Sequence, residues 1–590
     1  VIIVEMVNVI IDGKSVEVEK GSTVLLAAQK AGVHIPTLCY LKDVNAIGAC
    51  RVCLVEVKGA KALQPACVYP VSDGLEVHTN TPKVREARKA VVELLLSNHP
   101  ADCLTCVRSG NCELQTMAQQ MGIREIRFEG EKSTFPIDDR SVAIVRDPNK
   151  CILCRRCVAT CQKVQGVSIL GLVNRGFNST VGTAFNHPLD DINCALCGQC
   201  INACPVGALS EKDDTAKVWA ALADENKHCI VQFSPAVRIA ISEEFGIPMG
   251  EISTGKTVAA LRRLGFDKVF DTNWSADLTI MEEGNELLQR IQNGGVLPQI
   301  TSCSPGWIKY CEHHYPDQLD HLSSAKSPQQ MFGAIAKTYY AEKAGIDPAT
   351  IFSCSVMPCT AKKYECARPE MNSSGYRDVD CVITVREVAR MIKQTGLNLA
   401  ELPEEECDSP LGVGTGAGTI FGATGGVMEA ALRTVYEVVT GKTLENVEFT
   451  AVRGMEGIKE ASVDLNGTEV KVAVVHTLAN AKKMMDKVRA GQADYAFIEI
   501  MACPGGCVGG GGTPIVNALT RSILPEDYRA IRGKGLYNDD KNLPLRKSHE
   551  NPFIKAVYAE YLGEPLSHKS HELLHTTYTP RVKYRTDFDK

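Results

Sequence analysis

The sequence predicts a multidomain chain of the α+β and α/β classes. Three observations support this: a length of 590 residues, an uneven distribution of 25 cysteines, and an alternation of apolar strand-like runs with helices and glycine-rich turns after residue 229. At roughly 150 residues per domain, about four domains are expected. The first 15 cysteines lie within residues 1–204, and this change in cysteine density is the clearest domain boundary.

Composition excludes several classes of function as first expectations. A net charge of −6 disfavours binding to nucleic acid or to an anionic membrane. We see no charge-free apolar run of about 18 residues and no signal peptide, so we expect no membrane span and a cytoplasmic location. A reducing cytoplasm keeps cysteines as thiols, so thiols in this number indicate metal or redox chemistry.

Residues 1–83 are predicted to form the first domain. Two short strands within residues 6–20 flank a hairpin signal at Asp12 and Gly13, and Thr23 caps an apolar helix over residues 24–30. Four cysteines then supply the thiolates that a [2Fe–2S] cluster needs, namely Cys39, Cys50, Cys53 and Cys67. A four-cysteine zinc site fits the same spacing.

Residues 84–140 are predicted to form the second domain. An amphipathic helix over residues 84–97 is followed by a histidine four residues before a cysteine pair. This position favours ligation over a solvated histidine. The predicted ligands are His99, Cys103, Cys106 and Cys112, which suit either a [4Fe–4S] cluster or zinc.

Residues 141–222 are predicted to form the third domain, which has the two-run cysteine pattern of a two-cluster ferredoxin. In that pattern the fourth cysteine of each run ligates the other cluster, and a pair of zinc ribbons is the alternative. One [4Fe–4S] cluster is therefore assigned Cys151, Cys154, Cys157 and Cys204, and the other Cys194, Cys197, Cys200 and Cys161. Iron–sulfur centres in series serve to move electrons one at a time.

Residues 223–590 are predicted to form an α/β catalytic domain with a C-terminal tail. Residues 301–307, 357–365 and 499–514 each place soft ligands beside proline or glycine. Cys503 and Cys507 lie in a glycine-rich loop, and Lys362 is placed to donate to an anionic ligand. We assign the isolated cysteines to packing, because free cysteine is often buried; they are Cys229, Cys311, Cys354, Cys366, Cys381 and Cys407.

These three stretches resemble the signature motifs of [FeFe]-hydrogenases. The first domain resembles the plant-type (β-grasp) [2Fe–2S] ferredoxin fold of those enzymes and of the large iron–sulfur subunit of complex I, and the His-Cys pattern resembles a [4Fe–4S] site of both families. The resemblance implies an H-cluster, a [4Fe–4S] cubane joined by a cysteine to a diiron unit with CO, cyanide and azadithiolate. It assigns Cys359, Cys503 and Cys507 to the cubane, with Cys507 bridging to the diiron unit. It implies that Lys362 hydrogen-bonds a cyanide. It also implies that the diiron pocket is lined by Ser234, Pro235, Gln329, Met357 and Met501.

The resemblance also implies a proton relay, which begins at a cysteine and continues through Glu283, Glu286 and Ser323; a solvated helix face is the alternative for the glutamates. The family has two adjacent cysteines in its first motif, a relay followed by a cubane ligand, whereas this chain has Cys303 and Ser304. Motif register makes Cys303 the relay. Ligand chemistry places Cys303 on the cubane, because a serine alkoxide is a hard donor, and we favour this second assignment. A slower or pH-shifted proton step is expected.

The resulting functional hypothesis is reversible H2 oxidation and proton reduction, with electrons passing through four accessory clusters. The outside carrier is expected to be ferredoxin, NAD(P)H on flavin-containing partner subunits, or both in electron bifurcation. The glycine run over residues 412–418 lacks the spacing of a dinucleotide-binding motif, so any nucleotide is assigned to a partner chain. An H2 sensor or an electron-relay subunit without high turnover is the alternative.

Overall fold

The computed structural model describes residues 5–465 and 467–584; the ends of the first and fourth predicted domains, residues 1–4 and 585–590, lie outside this part. The first unit is a five-stranded sheet in the order β2-β1-β5-β3-β4. Its hairpin and its Thr23-capped helix confirm the two local predictions. The elements are β1 (Met6–Ile11), β2 (Lys14–Glu19), α1 (Val24–Lys30), β3 (Leu54–Val57), β4 (Gln64–Pro65) and β5 (Leu75–His78).

Four helices and two small sheets follow. Thr81 caps α2, which begins at Pro82 rather than at residue 84 because proline is well suited to the first turn of a helix. The β6–β9 and β7–β8 pairs are antiparallel. The elements are α2 (Pro82–Ser97), α3 (Glu113–Gln120), β6 (Ile144–Arg146), α4 (Arg156–Ala159), β7 (Gly171–Val173), β8 (Thr180–Gly182), α5 (Gln199–Ala203) and β9 (Leu209–Glu211).

Two four-stranded sheets form the centre of the remaining chain. One is wholly parallel in the order β11-β10-β13-β14, and the other has the order β12-β17-β16-β15 with a single antiparallel pair, β15–β16. The strands are β10 (His228–Phe233), β11 (Lys268–Asp271), β12 (Gln299–Ile300), β13 (Ile351–Met357), β14 (Cys381–Thr384), β15 (Ile458–Leu465), β16 (Thr468–His476) and β17 (Phe497–Met501).

Three apolar runs after residue 228 predict strands, namely residues 229–233, 296–300 and 472–476, and one of these strands is shorter than predicted. The apolar run over residues 296–300 contributes only Gln299 and Ile300 to the sheet. Pro298 interrupts the run, because proline has no backbone N–H to donate to a neighbouring strand. The other two strand-like runs of this region match β10 and β16.

Helices cover the two sheets. The helices of this part are α6 (Thr215–Leu222), α7 (Val237–Ala240), α8 (Thr254–Leu264), α9 (Thr272–Asn293), α10 (Pro305–His314), α11 (Pro328–Ile335), α12 (Ala341–Ala344), α13 (Ala361–Cys366), α14 (Val385–Gln394), α15 (Gly416–Ile420), α16 (Gly426–Thr440), α17 (Leu478–Arg489), α18 (Ala518–Ile523), α19 (Tyr528–Asn542), α20 (Pro552–Val557) and α21 (His568–Leu574). Among the helices of the described chain, none has both the length and the hydropathy needed to cross a membrane.

The core of the parallel sheet contains three of the six cysteines assigned to packing. Cys229, Cys354 and Cys381 lie in β10, β13 and β14 and are almost inaccessible to solvent. Cys407 packs against the same cluster. The motif residues instead follow the carboxyl ends of β10, β12, β13 and β17, where parallel α/β sheets usually bind ligands.

Candidate active site and iron–sulfur centres

A cavity with about 510 Å³ free of protein atoms lies where these strand ends meet. Its walls are mainly apolar, with Phe421 and Ala276 among residues that the motifs do not contain. The structure brings to these walls nearly all of the predicted H-cluster residues, namely Ser234, Pro235, Cys303, Gln329, Met357, Cys359, Lys362, Met501 and Cys507. Such an apolar cavity with a few convergent polar groups is typical of a cofactor site.

Three cysteines cluster at one side of this site: Cys359 and Cys507 are half-buried and line the cavity, and Cys503 is buried beside them. Cys503 lies near Cys359 and Cys507, and burial is the main cause that raises the pKa of each; for Cys507 it reaches about 12. The glycines after Cys507 permit this close approach, since a Cβ on Gly510 would lie 2.1 Å from the Pro358 carbonyl oxygen. Buried soft donors with such high pKa values need a cationic centre to be deprotonated, so this donor set fits an iron–sulfur cubane.

Two polar groups are suited to an anionic ligand in the cavity. Lys362 Nζ donates to Glu365 Oε2 at 2.8 Å, and this carboxylate oxygen also accepts from Ser327 and Gln329. The Ser234 hydroxyl is buried and has no hydrogen-bond partner within the described ranges. A held ammonium and an unpartnered hydroxyl in an otherwise apolar wall fit the diatomic ligands of a diiron unit.

Cys303 and Ser304 point to different neighbours. Cys303 lines the cavity. Burial raises the pKa of its thiol, the charges of Glu283 and Cys507 act in the same direction, and Lys362 opposes the shift. The Ser304 hydroxyl accepts a hydrogen bond of 3.2 Å from the backbone N–H of Ala502, the residue before Cys503. Cys303 therefore faces the predicted relay, and Ser304 faces the cubane loop.

The predicted relay residues line up behind Cys303. Burial raises the pKa of Glu283 to about 8, and the charge of Glu286 acts in the same direction; both carboxylate oxygens of Glu283 are buried without a hydrogen-bond partner among the described residues. Ser323 Oγ donates to Glu286 Oε2 at 2.6 Å, and Arg290 donates to Glu286 Oε1 at 2.8 Å. Both glutamates are buried, so the alternative of a solvated helix face is wrong.

The accessory cysteines also come together as predicted. Cys39, Cys50, Cys53 and Cys67 are all buried, and thiol contacts with Cys50 and Cys67 lower the pKa of Cys39. Separate small cavities are lined by the two predicted ferredoxin sets, one by Cys151, Cys154, Cys157 and Cys204, the other by Cys161, Cys194, Cys197 and Cys200. Both sets therefore combine cysteines from both runs.

The histidine of the second domain is free to act as a ligand. His99 Nδ1 is buried and has no hydrogen-bond partner among the residues that the structure describes. Burial lowers the pKa of His99, which favours the neutral imidazole that ligates metal. Cys106 and Cys112 are half-buried and Cys103 is exposed in the same loop.

Comparison with known proteins identifies the family. Residues 227–511 match the model of the iron-only hydrogenase large subunit, C-terminal domain, and residues 526–581 match that of the iron hydrogenase small subunit. The chain is 51% identical over 589 residues to the NADP-reducing hydrogenase subunit HndD of Solidesulfovibrio fructosivorans, covering 98% of this chain and 100% of that protein. This chain is an [FeFe]-hydrogenase.

Other relatives agree. The hydrogenase is 44% identical over 575 residues to iron hydrogenase 1 of Clostridium pasteurianum, covering 97% of this chain and 100% of that protein. A solved structure of a variant of the [FeFe]-hydrogenase HydA1 from Chlamydomonas reinhardtii is 45% identical, with a TM-score of 0.55, and is matched over 62% of this chain and 98% of that one.

Models of iron–sulfur domains match the part of the hydrogenase that precedes the catalytic domain. Residues 4–82 match a 2Fe-2S iron-sulfur cluster binding domain. Residues 88–127 match the iron-sulfur binding region of NADH-ubiquinone oxidoreductase-G, and residues 141–210 the ferredoxin-like domain of NADH-quinone oxidoreductase subunit 3. These matches confirm the predicted fold class, in which [2Fe–2S] and [4Fe–4S] domains precede the H-cluster domain.

Polar side chains that the motifs did not reveal connect successive centres of the hydrogenase. Asn45 Nδ2 donates to the backbone carbonyls of Cys39, at 2.7 Å, and Cys154, at 3.0 Å. Thr360, directly after Cys359, donates to the Leu196 carbonyl at 2.7 Å, and Cys197 lies near Cys503. The [2Fe–2S] site therefore adjoins one ferredoxin site, and the other ferredoxin site adjoins the catalytic cavity.

Proposed function

We propose that this hydrogenase catalyses reversible H2 oxidation at an H-cluster held in the cavity where the strand ends of its two sheets meet. The supporting observation is that the cavity assembles the thiols, Lys362 and the apolar wall from four separate strand ends. Cys359, Cys503 and Cys507 are the residues that would hold the cubane, and Cys507 would also join it to the diiron unit. When bound, the diiron unit supplies an open iron site for heterolytic splitting of H2.

The protein residues around that site have separate roles in this proposal. Lys362 would hold a cyanide ligand by a charge-assisted hydrogen bond, while Glu365 keeps its ammonium in place. The apolar walls exclude water and fix the position of the diiron unit. These lining residues are Ser234, Pro235, Gln329, Met357 and Met501.

We assign proton transfer to Cys303 and the fourth cubane position to Ser304. The support is the orientation of each side chain, Cys303 towards Glu283 and Ser304 towards the Cys503 loop. This reverses the preference that ligand chemistry alone gave. Protons then pass between Cys303, Glu283, Ser323 and Glu286, and Arg290 holds Glu286 in place by donating to its carboxylate.

We propose four accessory clusters: one [2Fe–2S] and three [4Fe–4S], held by the ligand sets that the spacing predicted. The domain boundaries near residues 83, 140 and 222 belong to the same proposal. The Asn45 and Thr360 contacts support an electron path between the first domain and the cubane.

The proposed electron partners are NAD(P)-binding flavoprotein subunits, with ferredoxin as a further carrier. Two findings support this: a relative is named as a subunit of an NADP-reducing hydrogenase, and the accessory segments match domains of NADH oxidoreductases. Electron bifurcation is the proposed mode when both carriers act together.

Replacing Cys303 and Ser304 separately by alanine tests the site assignment. For Cys303→Ala we expect iron content and the CO and CN infrared bands of the wild type, with turnover lost by a factor of about 10² or more. For Ser304→Ala we expect an altered cubane EPR signal. Cys311→Ala, a buried cysteine of α10, is the control. Loss of cubane iron in Cys303→Ala would return the ligand role to Cys303.

Purification of the hydrogenase from its native source tests the partners. We expect flavoprotein subunits to co-purify and to support H2-dependent reduction of NAD(P)+. Reduction of ferredoxin and NAD(P)+ only when both are present would indicate bifurcation. A chain that purifies alone and reduces ferredoxin without NAD(P)+ would contradict the proposed partners.

A further inference from the structure

The hydrogen bonds that lead away from Glu286 divide into two branches. One runs to Arg290, at 2.8 Å. The other runs through Ser324, whose backbone N–H lies 3.1 Å from both carboxylate oxygens of Glu286 and whose hydroxyl lies 3.2 Å from Glu286 Oε1. The same hydroxyl lies 2.8 Å from His575 Nδ1. Thus a single hydroxyl connects the relay carboxylate to an imidazole.

His575 is held at both ring nitrogens. Its Nε2 lies 3.0 Å from Glu282 Oε2, and Glu282 is fully buried in α9. Glu282 also accepts hydrogen bonds from the Tyr558 hydroxyl and, at 3.0 Å, from the Leu566 backbone N–H. A histidine placed between a hydroxyl oxygen and a buried carboxylate suits the protonated ring, because both N–H groups then have acceptors and the charge is paired.

A second histidine connects this buried ring to the protein surface. His571 lies one turn earlier in α21, is exposed, and has its ring centroid 4.2 Å from that of His575. The groups that face this pair are Glu282 and Glu286 from α9, Tyr558 through Glu282, Tyr578 through Ser323, and His568 on α21.

We propose that Ser324, His575 and Glu282 form a histidine branch of the proton relay, which stores one proton beside Glu286. This inference rests on the relay of the proposed function. When Glu286 is protonated, its O–H bond breaks and the proton passes to Ser324 Oγ. The former hydroxyl proton of Ser324 passes to His575 Nδ1, and the resulting imidazolium pairs with Glu282. The reverse steps return the proton, so atoms and charge balance.

The function of a proton held on His575 follows from the stoichiometry of the reaction. Each H2 releases two protons, and the relay is a single file of side chains from Cys303 to Glu286. A proton held on His575 leaves Glu286 free to accept the second proton before the first has reached solvent. The active site can therefore release its second proton before the first proton has exchanged with solvent.

Three variants and one control test the branch. His575→Gln keeps hydrogen-bonding groups but removes the proton acceptor, and Ser324→Ala cuts the link while leaving His575 beside Glu282. Ser324→Thr restores the hydroxyl. Glu572→Gln changes an exposed residue of the same helix and is the control. Iron content and infrared bands of each loaded variant establish that the site is intact.

We expect His575→Gln and Ser324→Ala to lower kcat for H2 oxidation about tenfold, less than the 10²-fold or more expected at a residue of the main path. The KM for H2 should not change, the pH profile of kcat should lose one inflection, and Ser324→Thr should recover the wild-type profile. Wild-type turnover and pH profile in His575→Gln would overturn the branch. Equal losses in Ser324→Thr and Ser324→Ala would also overturn it, because they would indicate packing.

Glu283→Gln separates this inference from the proposed relay. Loss of turnover in Glu283→Gln together with wild-type behaviour of His575→Gln would overturn the branch alone. Full turnover in Glu283→Gln would overturn the relay and the branch with it.

Discussion

Glu365 is the residue whose replacement tests the construction of the cavity most directly. One oxygen, Oε2, accepts from Lys362 Nζ at 2.8 Å, from Ser327 Oγ at 2.8 Å and from Gln329 Nε2 at 3.2 Å. Lys362 and Gln329 line the cavity, whereas Glu365 lies behind them and is buried. Glu365→Gln keeps the size of the side chain and removes its charge.

The expected cost follows from these three contacts. Removing the charge leaves the Lys362 ammonium in a buried site without its counter-ion, which costs about 3–5 kcal/mol. The glutamine oxygen still accepts from two of the donors, so we expect a loss near the lower end, about 3 kcal/mol. Lys362 should also reorient, and the cyanide infrared bands of the loaded enzyme should then shift or broaden.

Two measurements check this prediction: denaturant unfolding of the catalytic domain and infrared spectra of the loaded enzyme. Glu370→Gln is the matched control, because Glu370 pairs with Arg368 in the same segment but is only half-buried. Glu365→Asp, which keeps the charge, should retain most of the stability. Wild-type stability and unshifted cyanide bands in Glu365→Gln would refute the assignment of Lys362.

Two further predictions concern other parts of the hydrogenase. Asn45→Ala should leave two buried carbonyls without a donor and weaken the contact between the first and third domains by about 1–3 kcal/mol. Electrons should then arrive more slowly at the cubane, which rapid-mixing spectroscopy measures. Asn178→Ala, at an exposed position, is the control. Burial lowers the pKa of Lys459 to about 8. Between pH 8 and about 10.4 the unfolded state therefore binds more protons than the folded state. The free energy of unfolding should rise with pH over this range, by up to about 3 kcal/mol. Lys459→Met should remove this rise. If the melting temperature changes with pH equally in Lys459→Met and in the wild type, the prediction is wrong.

Local patterns were sufficient to predict much of the fold. The hairpin at Asp12 and Gly13 and the helix after Thr23 are each determined by residues that are close together in the sequence. Both could therefore be located from the sequence. The cysteine runs were equally informative, because short spacings restrict which thiols share a loop. The structure brings together the two ferredoxin sets that the spacing predicted.

Long-range contacts were not predictable in the same way. The Ser324–His575 contact joins residues 251 positions apart, and the Asn45–Cys154 contact joins residues 109 positions apart. No periodicity or spacing relates such residues, because the sheet topology alone brings them together. The roles of Cys303 and Ser304 could not be separated from the sequence for a related reason: donor chemistry ranks the two atoms, but backbone direction at the end of β12 decides which atom faces which neighbour.

The arrangement of these contacts also explains how electrons and protons can move together in a buried site. The proposed cubane ligand Cys503 lies near Cys197, and the proposed relay residue Cys303 lies near Glu283, so in this proposal the two carriers enter through different walls of the cavity. An electron added in a buried, low-dielectric volume is costly unless positive charge arrives with it. A carboxyl with a pKa of about 8 both takes up and releases a proton near neutral pH, so Glu283 is suited to supply that compensation. An aspartate exposed to solvent in the same place would stay ionised and would oppose each electron, which gives a physical reason for burying the relay.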